Sequence, residues 1–344
     1  MSFNNKHNFS WMRILSVPTL IVLIVVIGIF ALLPLVIDFQ WEDTFLRLSD
    51  INVWVYVVAM FSYFASFVFR GIRWRLLAKN TGELELGNQI TPSIFQSSMF
   101  ILLGWFVNSV AWMRIGDAYR AYLFARKSRT EISWSLGILL AERVLDTMVV
   151  FGILAISFLF LIWQRSSTDY QLLKYIFSIA FLMTLFLIMV LILMRFFRNF
   201  IQTRLPSKIK QFYFQFQKGA LSSFKKIYLL VLLSCIGWLL EILRLYFVVV
   251  SLGFEVPLVL IPIVALSHAL LSVVPTPGGI GAVEAGTIGI LLITLSNADA
   301  ISVVLLDRSI TFLAVIIVGA IAFVIRNFYE FQKGNSRKSK FFKM

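Results

Sequence analysis

The sequence predicts an all-α polytopic membrane protein, with about six full spans and two re-entrant helical hairpins in an inverted-topology repeat. Of its 344 residues, 60% are apolar and 14% are charged, and several uncharged runs exceed the roughly 18 residues that cross a bilayer. The basic residues behind the net charge of +14 lie mainly in loops and tails beside these runs. This distribution is typical of the positive-inside rule and of contact with anionic headgroups, so we expect membrane lipids as partners and no nucleic acid.

The whole chain, 1–344, is expected to form one membrane domain with a first span at 17–37 and a first repeat half at 52–194. Acidic residues, and no small-residue cleavage site, follow 17–37, which indicates a retained span rather than a cleaved signal. The spans expected in the first half are 52–69, 132–162 and 175–194.

The run 94–113 is predicted to be a hairpin rather than a span. Basic segments flank both of its ends, and both can be cytoplasmic only if the run enters and leaves on that side. The break is expected near Gly104 or Asn108, in a cavity where irregular backbone can be tolerated.

A linker at 195–226 contains eight Lys or Arg and no acid, which indicates a cytoplasmic position. Within it, Ile209, Phe212 and Phe216 follow a helical period. They predict an amphipathic helix that lies either in the membrane interface or against the cytoplasmic face of the protein itself.

The second repeat half, 227–325, is expected to hold spans at 227–250 and 301–325, with a basic cytoplasmic tail at 326–344. The span 227–250 is predicted to end outside and the span 301–325 to end inside. Both can hold only if 258–295 is a hairpin that enters and leaves on the outer side. The loop charges therefore predict oppositely inserted hairpins, with both termini in the cytoplasm and the protein in the plasma (inner) membrane.

Two stretches, 108–146 and 271–310, resemble each other and support the same repeat. Each has a Gly-containing break, an intervening helix and then an acid beside an arginine: Glu142-Arg143 and Asp307-Arg308.

The break from Pro275 to Gly281 is the sharpest local feature. Its two prolines lack the amide hydrogen that a helix needs, and its glycines Gly278, Gly279 and Gly281 permit backbone angles that other residues avoid. The unpaired amides at the start of the next helix would attract a phosphate or carboxylate. A tight turn without a ligand is the alternative.

Charged residues within the predicted spans are costly unless they face a protein interior or a water-filled cavity. We expect Arg143 and Arg308 to contact phosphate, because the planar guanidinium binds its oxygens in a bidentate way. The acids would hold these arginines in place, and Glu284 is expected to pair with Arg308 or Arg143. Salt bridges that only join helices are the alternative. The charged residues concerned are Glu142, Arg143, Asp146, Glu241, Arg244, Glu284, Asp307 and Arg308.

The segment that contains Arg114, Asp117 and Arg120 is expected at the cytoplasmic mouth, where it would gather an anionic headgroup. Arg70 is explained by ordinary positive-inside anchoring. His268 is expected to be a satisfied interior residue rather than a proton relay.

Enzymatic activity is not expected. The chain has one cysteine and two histidines, which excludes a disulfide and disfavours a Cys- or His-based metal site. It has no Walker-type nucleotide loop and no recognisable nucleophile arrangement, so we expect no cofactor.

At these residues the chain resembles the family known as the lysylphosphatidylglycerol synthase transmembrane region, or flippase-like proteins. The resemblance covers 17–325, with Ala111 and Trp112 where the family usually has a proline. It implies movement of a lipid between leaflets, often an aminoacylated or isoprenoid-linked one. The synthase members carry a further soluble domain, so synthase activity is not implied here. The matching residues are Arg70, Arg73, Trp74, Arg75, Asn108, Arg114, Gly116, Asp117, Arg120, Glu142, Arg143, Asp146, Pro275, Pro277, Gly278, Gly279, Gly281 and Glu284.

The leading hypothesis is therefore a translocase for an anionic or phosphate-containing lipid, with a polar cavity between the inverted repeats. The alternatives are a small-anion secondary transporter and a non-transporting scaffold for enzymes of envelope-lipid synthesis.

Overall fold

The computed structural model describes residues 47–85, 89–163, 171–204 and 206–326, and every regular element in these ranges is helical. The predicted first span and the basic tail after Arg326 lie outside the described residues. The helices are α1 (Val53–Asn80), α2 (Ile94–Val110), α3 (Ile115–Ser128), α4 (Ile132–Trp163), α5 (Gln171–Phe196), α6 (Arg198–Arg204), α7 (Ser207–Leu221), α8 (Ile227–Ser251), α9 (Leu260–Leu271), α10 (Ala282–Leu291) and α11 (Asn297–Arg308). The last of these continues through a π-helical segment, Ser309–Ala314, to Arg326.

Five of the described helices, α1, α4, α5, α8 and the extended α11, are long and apolar enough to cross a membrane. The prediction of an all-α polytopic membrane protein is therefore confirmed. The two arms of the second hairpin are much shorter: α9 has 12 residues and α10 has 10. At 1.5 Å per residue they reach roughly 18 and 15 Å, about half of a hydrocarbon layer of roughly 30 Å.

Helix α1 is longer than the sequence predicted, because it continues past Phe69 to Asn80. The prediction ended the span before Arg70 because it treated the following arginines as interfacial. In the structure Arg70 and Arg73 are buried and paired with acids on other helices. A paired arginine does not need to leave the hydrocarbon layer, so the helix continues.

Helices α1 and α8 pack along each other and run antiparallel. The amide of Asn52, just before α1, donates to the carbonyl of Ser251 at the end of α8 (2.8 Å). At the opposite end, the side chain of Asn80 donates to the carbonyls of Ser223 and Lys225, just before α8. The two ends of the helix pair α1 and α8, marked by Ser251 and by Asn80, are taken as the two ends of the described bundle.

The first hairpin consists of α2 and α3, and its turn lies at Ala111–Arg114. The predicted break near Gly104 or Asn108 was wrong, because both residues lie inside a continuous α2. The chain instead reverses where Met113 and Arg114 adopt left-handed angles (φ 59° and 52°). Asn108 stabilises this turn, since its side-chain oxygen accepts the amide hydrogen of Gly116 at the start of α3 (2.8 Å).

The second hairpin consists of α9 and α10, joined by the break that the prolines and glycines predicted. Its base lies at the α8 end marked by Ser251, whereas the first hairpin begins from the other end, marked by Asn80. The two tips meet inside the bundle. Arg114 donates to the carbonyl of Ser272 (2.8 Å), and the amide of Met113 approaches the carbonyl of Pro275 (3.5 Å).

Each half of the described chain thus has the same order of elements: a span, a hairpin and another span. The first half adds α5, which packs mainly on α4. The antiparallel arrangement of α1 and α8 is what inverted repeats require. Equivalence of the two halves remains a prediction, to be tested by superposing them.

Helix α7 is the amphipathic helix predicted in the linker, and its two ends have different surroundings. Its end is packed so tightly on α4 that a Cβ on Gly219 would lie 2.1 Å from the carbonyl oxygen of Trp134. Its beginning is half exposed on the apolar side, at Ile209 and Phe212. The helix therefore packs on one end of the bundle and leaves part of its apolar side exposed, and its position at the membrane interface stays a prediction.

The crossing of α2 and α3 allows no side chain on Gly116. A Cβ at that position would lie 2.0 Å from the carbonyl oxygen of Gly104 and 2.8 Å from the amide nitrogen of Asn108. Because both obstacles are backbone, we expect Gly116→Ala to destabilise the protein by about 3 kcal/mol or to prevent hairpin closure. Gly152→Ala in α4 is the matched control, because its Cβ would meet nothing within 4 Å. Thermal unfolding of the two purified variants measures the difference, and equal stability would contradict this packing.

Candidate functional site

A cavity of about 420 Å³ lies where the two hairpin tips meet α1, α4, α5, α8 and α11. Its lining is unusually charged for a site within membrane spans. Among the described residues, the charged side chains that line it are Arg70, Arg114, Asp117, Arg143, Asp146, Glu241, Arg244 and Arg308.

The first cluster of ion pairs is built by the first half of the chain, around Glu142 and Asp146. Arg73 from α1 bridges these two carboxylates, at 2.9 Å from Glu142 and 2.6 Å from Asp146. Since the two acids are one turn apart on α4, they face the same arginine. Arg73 also donates to the hydroxyl of Ser234 on α8 (2.7 Å), which joins the two halves at this point.

The first hairpin contributes three further residues to this cluster: Arg114, Asp117 and Arg120. Arg120 is fully buried between Asp117 (3.2 Å) and Glu142 (3.1 Å), with its guanidinium over the ring of Trp74. Arg114, at the tip, pairs with Asp117 at 3.4 Å. The first cluster is thus Arg73, Arg114, Asp117, Arg120, Glu142, Arg143 and Asp146.

The second cluster joins the two halves through Arg70, Glu241 and Arg244. Glu241 on α8 accepts a hydrogen bond from Arg70 of α1 (3.3 Å) and forms an ion pair with Arg244 (3.4 Å). Arg244 also pairs with Asp307, whose other oxygen lies 3.2 Å from Nδ1 of His268.

Aromatic rings cover the second cluster. The guanidinium of Arg70 lies over the rings of Trp238 (4.7 Å) and Trp105 (5.4 Å), and that of Arg244 lies over Tyr63 (5.5 Å). These rings stabilise the cations while keeping water away.

The third element is a single pair, Arg308 with Glu284. Their atoms Nε and Oε1 are 2.7 Å apart, which confirms the expectation that Glu284 pairs with an arginine. Arg308 also donates to the carbonyl of Gly278 (3.0 Å), so it ties α11 to the tip of the second hairpin. The π-helical segment that begins at Ser309 follows directly.

The break at Gly278–Gly281 differs from the predicted anion site. Gly281 donates its amide hydrogen to the carboxylate of Glu284 (2.7 Å), and Gly279 donates to the carbonyl of Thr276 (3.1 Å). Glu284 therefore already occupies the start of α10, where a ligand anion was expected. Gly278 lines the cavity, but chiefly through the carbonyl that Arg308 holds.

Gly279 has a structural role in the break. Gly279 has φ of 73°, and a Cβ there would lie 2.8 Å from Cα of Ser272. The glycine is needed for the turn itself, and a substitution would first disturb the fold.

The ion pairs also correct the predicted partners. Asp307 pairs with Arg244 and His268, not with its neighbour Arg308. Glu142 is held mainly by Arg73 and Arg120, and its contact with Arg143 is longer (3.3 Å). Consecutive side chains on a helix point about 100° apart, so an acid and the arginine next to it can each have their closest partner on another helix.

Two further placements differ from the sequence analysis. Arg114 and Arg120 lie at the hairpin tip and in the protein interior, not at a cytoplasmic mouth. Arg70, which the sequence analysis explained by anchoring, is central to the ion pairs, as is Arg73. The spacing Arg70–Arg73, one helical turn apart and therefore on the same face, is the pattern that could have indicated an intramembrane position.

One part of the cavity wall is apolar. It includes Met183, Phe186 and Leu187 of α5 and Val150 of α4. Phe186 lines the cavity while 57% of it is exposed at the surface of the described protein. The cavity is thus separated from the lipid-facing side by a single layer of apolar side chains.

Within the described residues, no group of three or more His, Cys, Asp or Glu is placed to hold a metal ion. The chemistry available at the cavity is ion pairing and hydrogen bonding by arginine.

The family described as "Lysylphosphatidylglycerol synthase TM region" matches residues 20–319. The chain belongs to this family. A UPF0104 membrane protein of Methanocaldococcus jannaschii is 30% identical over 64% of this chain and 94% of its own length. Another, of Pyrococcus horikoshii, is 25% identical over 89% of this chain and 96% of its own. No solved structure matches the chain. The resemblance seen in the sequence is confirmed, and the protein is an integral membrane protein of this family.

Proposed function

We propose that the protein is a translocase that moves an anionic or phosphate-containing lipid between the two leaflets of the plasma (inner) membrane. The observation that carries the proposal is the mixed lining of the cavity, in which arginines and apolar side chains of α5 border the same space. A lipid has both kinds of surface. Its phosphate would take the place of the acids as arginine partner, while its acyl chains pass α5 into the bilayer.

The meeting of the hairpin tips gives this movement a site of control. Arg114 at one tip is bonded to Ser272 at the other, and both residues line the cavity. A headgroup phosphate that engages Arg114 would compete with the Ser272 carbonyl and release the tips. The energy would come from an ion gradient or from the lipid gradient itself.

A small-anion secondary transporter is the second candidate, because the same arginines could bind a soluble anion. The exposed position of Phe186 on the cavity wall favours a lipid, since a path for a solute needs a wall closed to the bilayer. A scaffold for envelope-lipid enzymes is the third candidate, and it would not need a charged cavity. In this proposal the protein does not convert the lipid chemically. Enzymes of envelope-lipid synthesis are its candidate partners.

The proposed orientation can be tested by labelling from each side of the membrane. We expect cysteines at Glu131 and Asn297, both exposed, to react from opposite sides, with Glu131 cytoplasmic. The native Cys235 is exposed and must first be replaced by serine. Reaction of both new cysteines from the same side would contradict the inverted arrangement of the hairpins.

The proposed function itself is tested by reconstitution into liposomes that contain a lipid with a fluorescent headgroup. Dithionite, which does not cross the bilayer, bleaches the outer leaflet only. We expect wild-type protein to make nearly the whole fluorescence accessible, whereas protein-free liposomes should retain about half of it. Retention of half in the presence of folded protein, with every headgroup tried, would contradict the proposal.

A further inference from the structure

The three groups of ion pairs differ in net charge. The second cluster has two arginines and two acids, with His268 neutral, and Arg308 is matched by Glu284. The first cluster has four arginines and only three acids among the described residues: Arg73, Arg114, Arg120 and Arg143 against Asp117, Glu142 and Asp146. Among the described residues, the first cluster therefore has a net charge of +1, and this excess positive charge lies in the first half of the chain.

This uncompensated charge is accessible at only part of the cluster. The side chains of Arg73 and Arg120 are 2% and 1% exposed. Those of Arg143 and Arg114 are 30% and 23% exposed, and both line the cavity. Their ion pairs are also the longest of the cluster, at 3.3 to 3.6 Å. Arg114 and Arg143 therefore present the charge to a ligand.

A cation in a protein interior is costly unless an anion balances it, and an anion with a second charge would in turn be left unbalanced. We infer that Arg114 and Arg143 form the phosphate site and that it takes a phosphate ester with a single negative charge. This inference rests on the proposed function and specifies its substrate class: a phosphodiester lipid in preference to a phosphomonoester. A monoester carries −1.5 to −2 near pH 7, since its second pKa is about 6.

Asp117 sets this preference. It pairs with both Arg114 and Arg120 and is itself partly accessible, at 15%. Without its charge the first cluster would carry two uncompensated positive charges and would match a doubly charged phosphate. Loss of Arg143 would leave the first cluster without an uncompensated positive charge.

The test is equilibrium binding of short-chain phosphatidylglycerol and phosphatidic acid to the full chain in uncharged detergent. At about pH 8, where the monoester is doubly charged, we expect the diester to bind at least about tenfold more tightly. At about pH 5, where both carry one charge, we expect the two affinities to converge through a gain for phosphatidic acid alone. This pH comparison uses only wild-type protein and does not depend on the folding of a variant.

Two variants extend the test. Asp117→Asn should shift the ratio of affinities at pH 8 toward phosphatidic acid by about tenfold or more, and Arg143→Gln should weaken both lipids by about tenfold or more. Arg47→Gln is the control, because Arg47 is exposed and its partner Asp299 lies outside the cavity lining. It should change neither affinity.

Equal or tighter binding of phosphatidic acid at pH 8 by wild-type protein that moves lipid would overturn the single-charge site and leave the translocase proposal standing. If the deacylated headgroup, glycerophosphoglycerol, bound as tightly as the lipid, the single-charge site would stand and the lipid function would fall. Binding of no phosphate ester at all would overturn both.

Discussion

Arg73→Ala should destabilise the protein by about 3–5 kcal/mol, the largest stability loss expected of any single arginine substitution in the bundle. The guanidinium of Arg73 bridges Glu142 and Asp146 and also holds Ser234. Its removal leaves two buried carboxylates with less compensation, since the side chains of Glu142 and Asp146 are only 1% and 5% exposed. Thermal unfolding of the purified protein in detergent, followed by intrinsic tryptophan fluorescence, measures the loss.

Arg47→Ala is the matched control for Arg73→Ala. Arg47 also forms an arginine–carboxylate pair, with Asp299 at 3.2 Å, but its side chain is 56% exposed. Exposed pairs contribute about 0–1 kcal/mol, so this variant should unfold close to the wild-type temperature. If the two variants lost equal stability, the first cluster would not be the buried core of the bundle.

Arg143→Gln should reduce lipid movement by about 10- to 100-fold while leaving the fold intact, because it removes a charged hydrogen bond to the ligand. Its acids lose little, because Arg73 and Arg120 still hold Glu142, and Arg73 still holds Asp146. The loss should therefore appear in transport and not in stability. Transport is measured as the rate at which the fluorescence of inner-leaflet lipid becomes accessible to dithionite. Stability is measured by thermal unfolding.

Arg308→Gln distinguishes the roles of the two arginines that the sequence singled out. Arg308 is bonded to Glu284 and to the carbonyl of Gly278, so its loss should lower stability as well as transport.

A folded Arg143→Gln protein with wild-type transport would remove Arg143 from the phosphate site.

The spans and the existence of two hairpins could be predicted from the sequence, because both depend on properties that are local in the chain. Uncharged runs of sufficient length give the spans, and the charges at their ends give the hairpins. The break at Pro275–Gly281 was also readable, since proline and glycine act on their own backbone. The prediction placed this turn correctly.

The turn of the first hairpin could not be located in the same way. It lies at Met113 and Arg114, which are not residues that favour left-handed angles. What permits the turn is the contact of α2 with α3, in which Gly104 meets Gly116 and Asn108 caps the second helix. Such a contact depends on residues that are distant until the chain has folded.

The partners of the buried charges were the hardest feature to predict. The sequence indicated the neighbouring pairs Glu142-Arg143 and Asp307-Arg308. In the structure the closest partners of these acids lie on other helices, as in Arg73 with Glu142 and Arg244 with Asp307. The placement of Arg70 failed for the same reason, because only Glu241 on α8 explains its burial. Helix-to-helix pairing depends on the packing, and the sequence alone does not fix it.

The most direct test of the account compares two fluxes in one batch of liposomes that contain wild-type protein. One is the transfer of fluorescent phosphatidylglycerol between leaflets, and the other is the entry of radiolabelled glycerophosphoglycerol, its soluble headgroup. A cavity with an apolar wall that faces the bilayer should pass the lipid and give headgroup entry no greater than in protein-free liposomes. Entry of the headgroup without transfer of the lipid would contradict the account and identify the protein as a transporter of soluble anions.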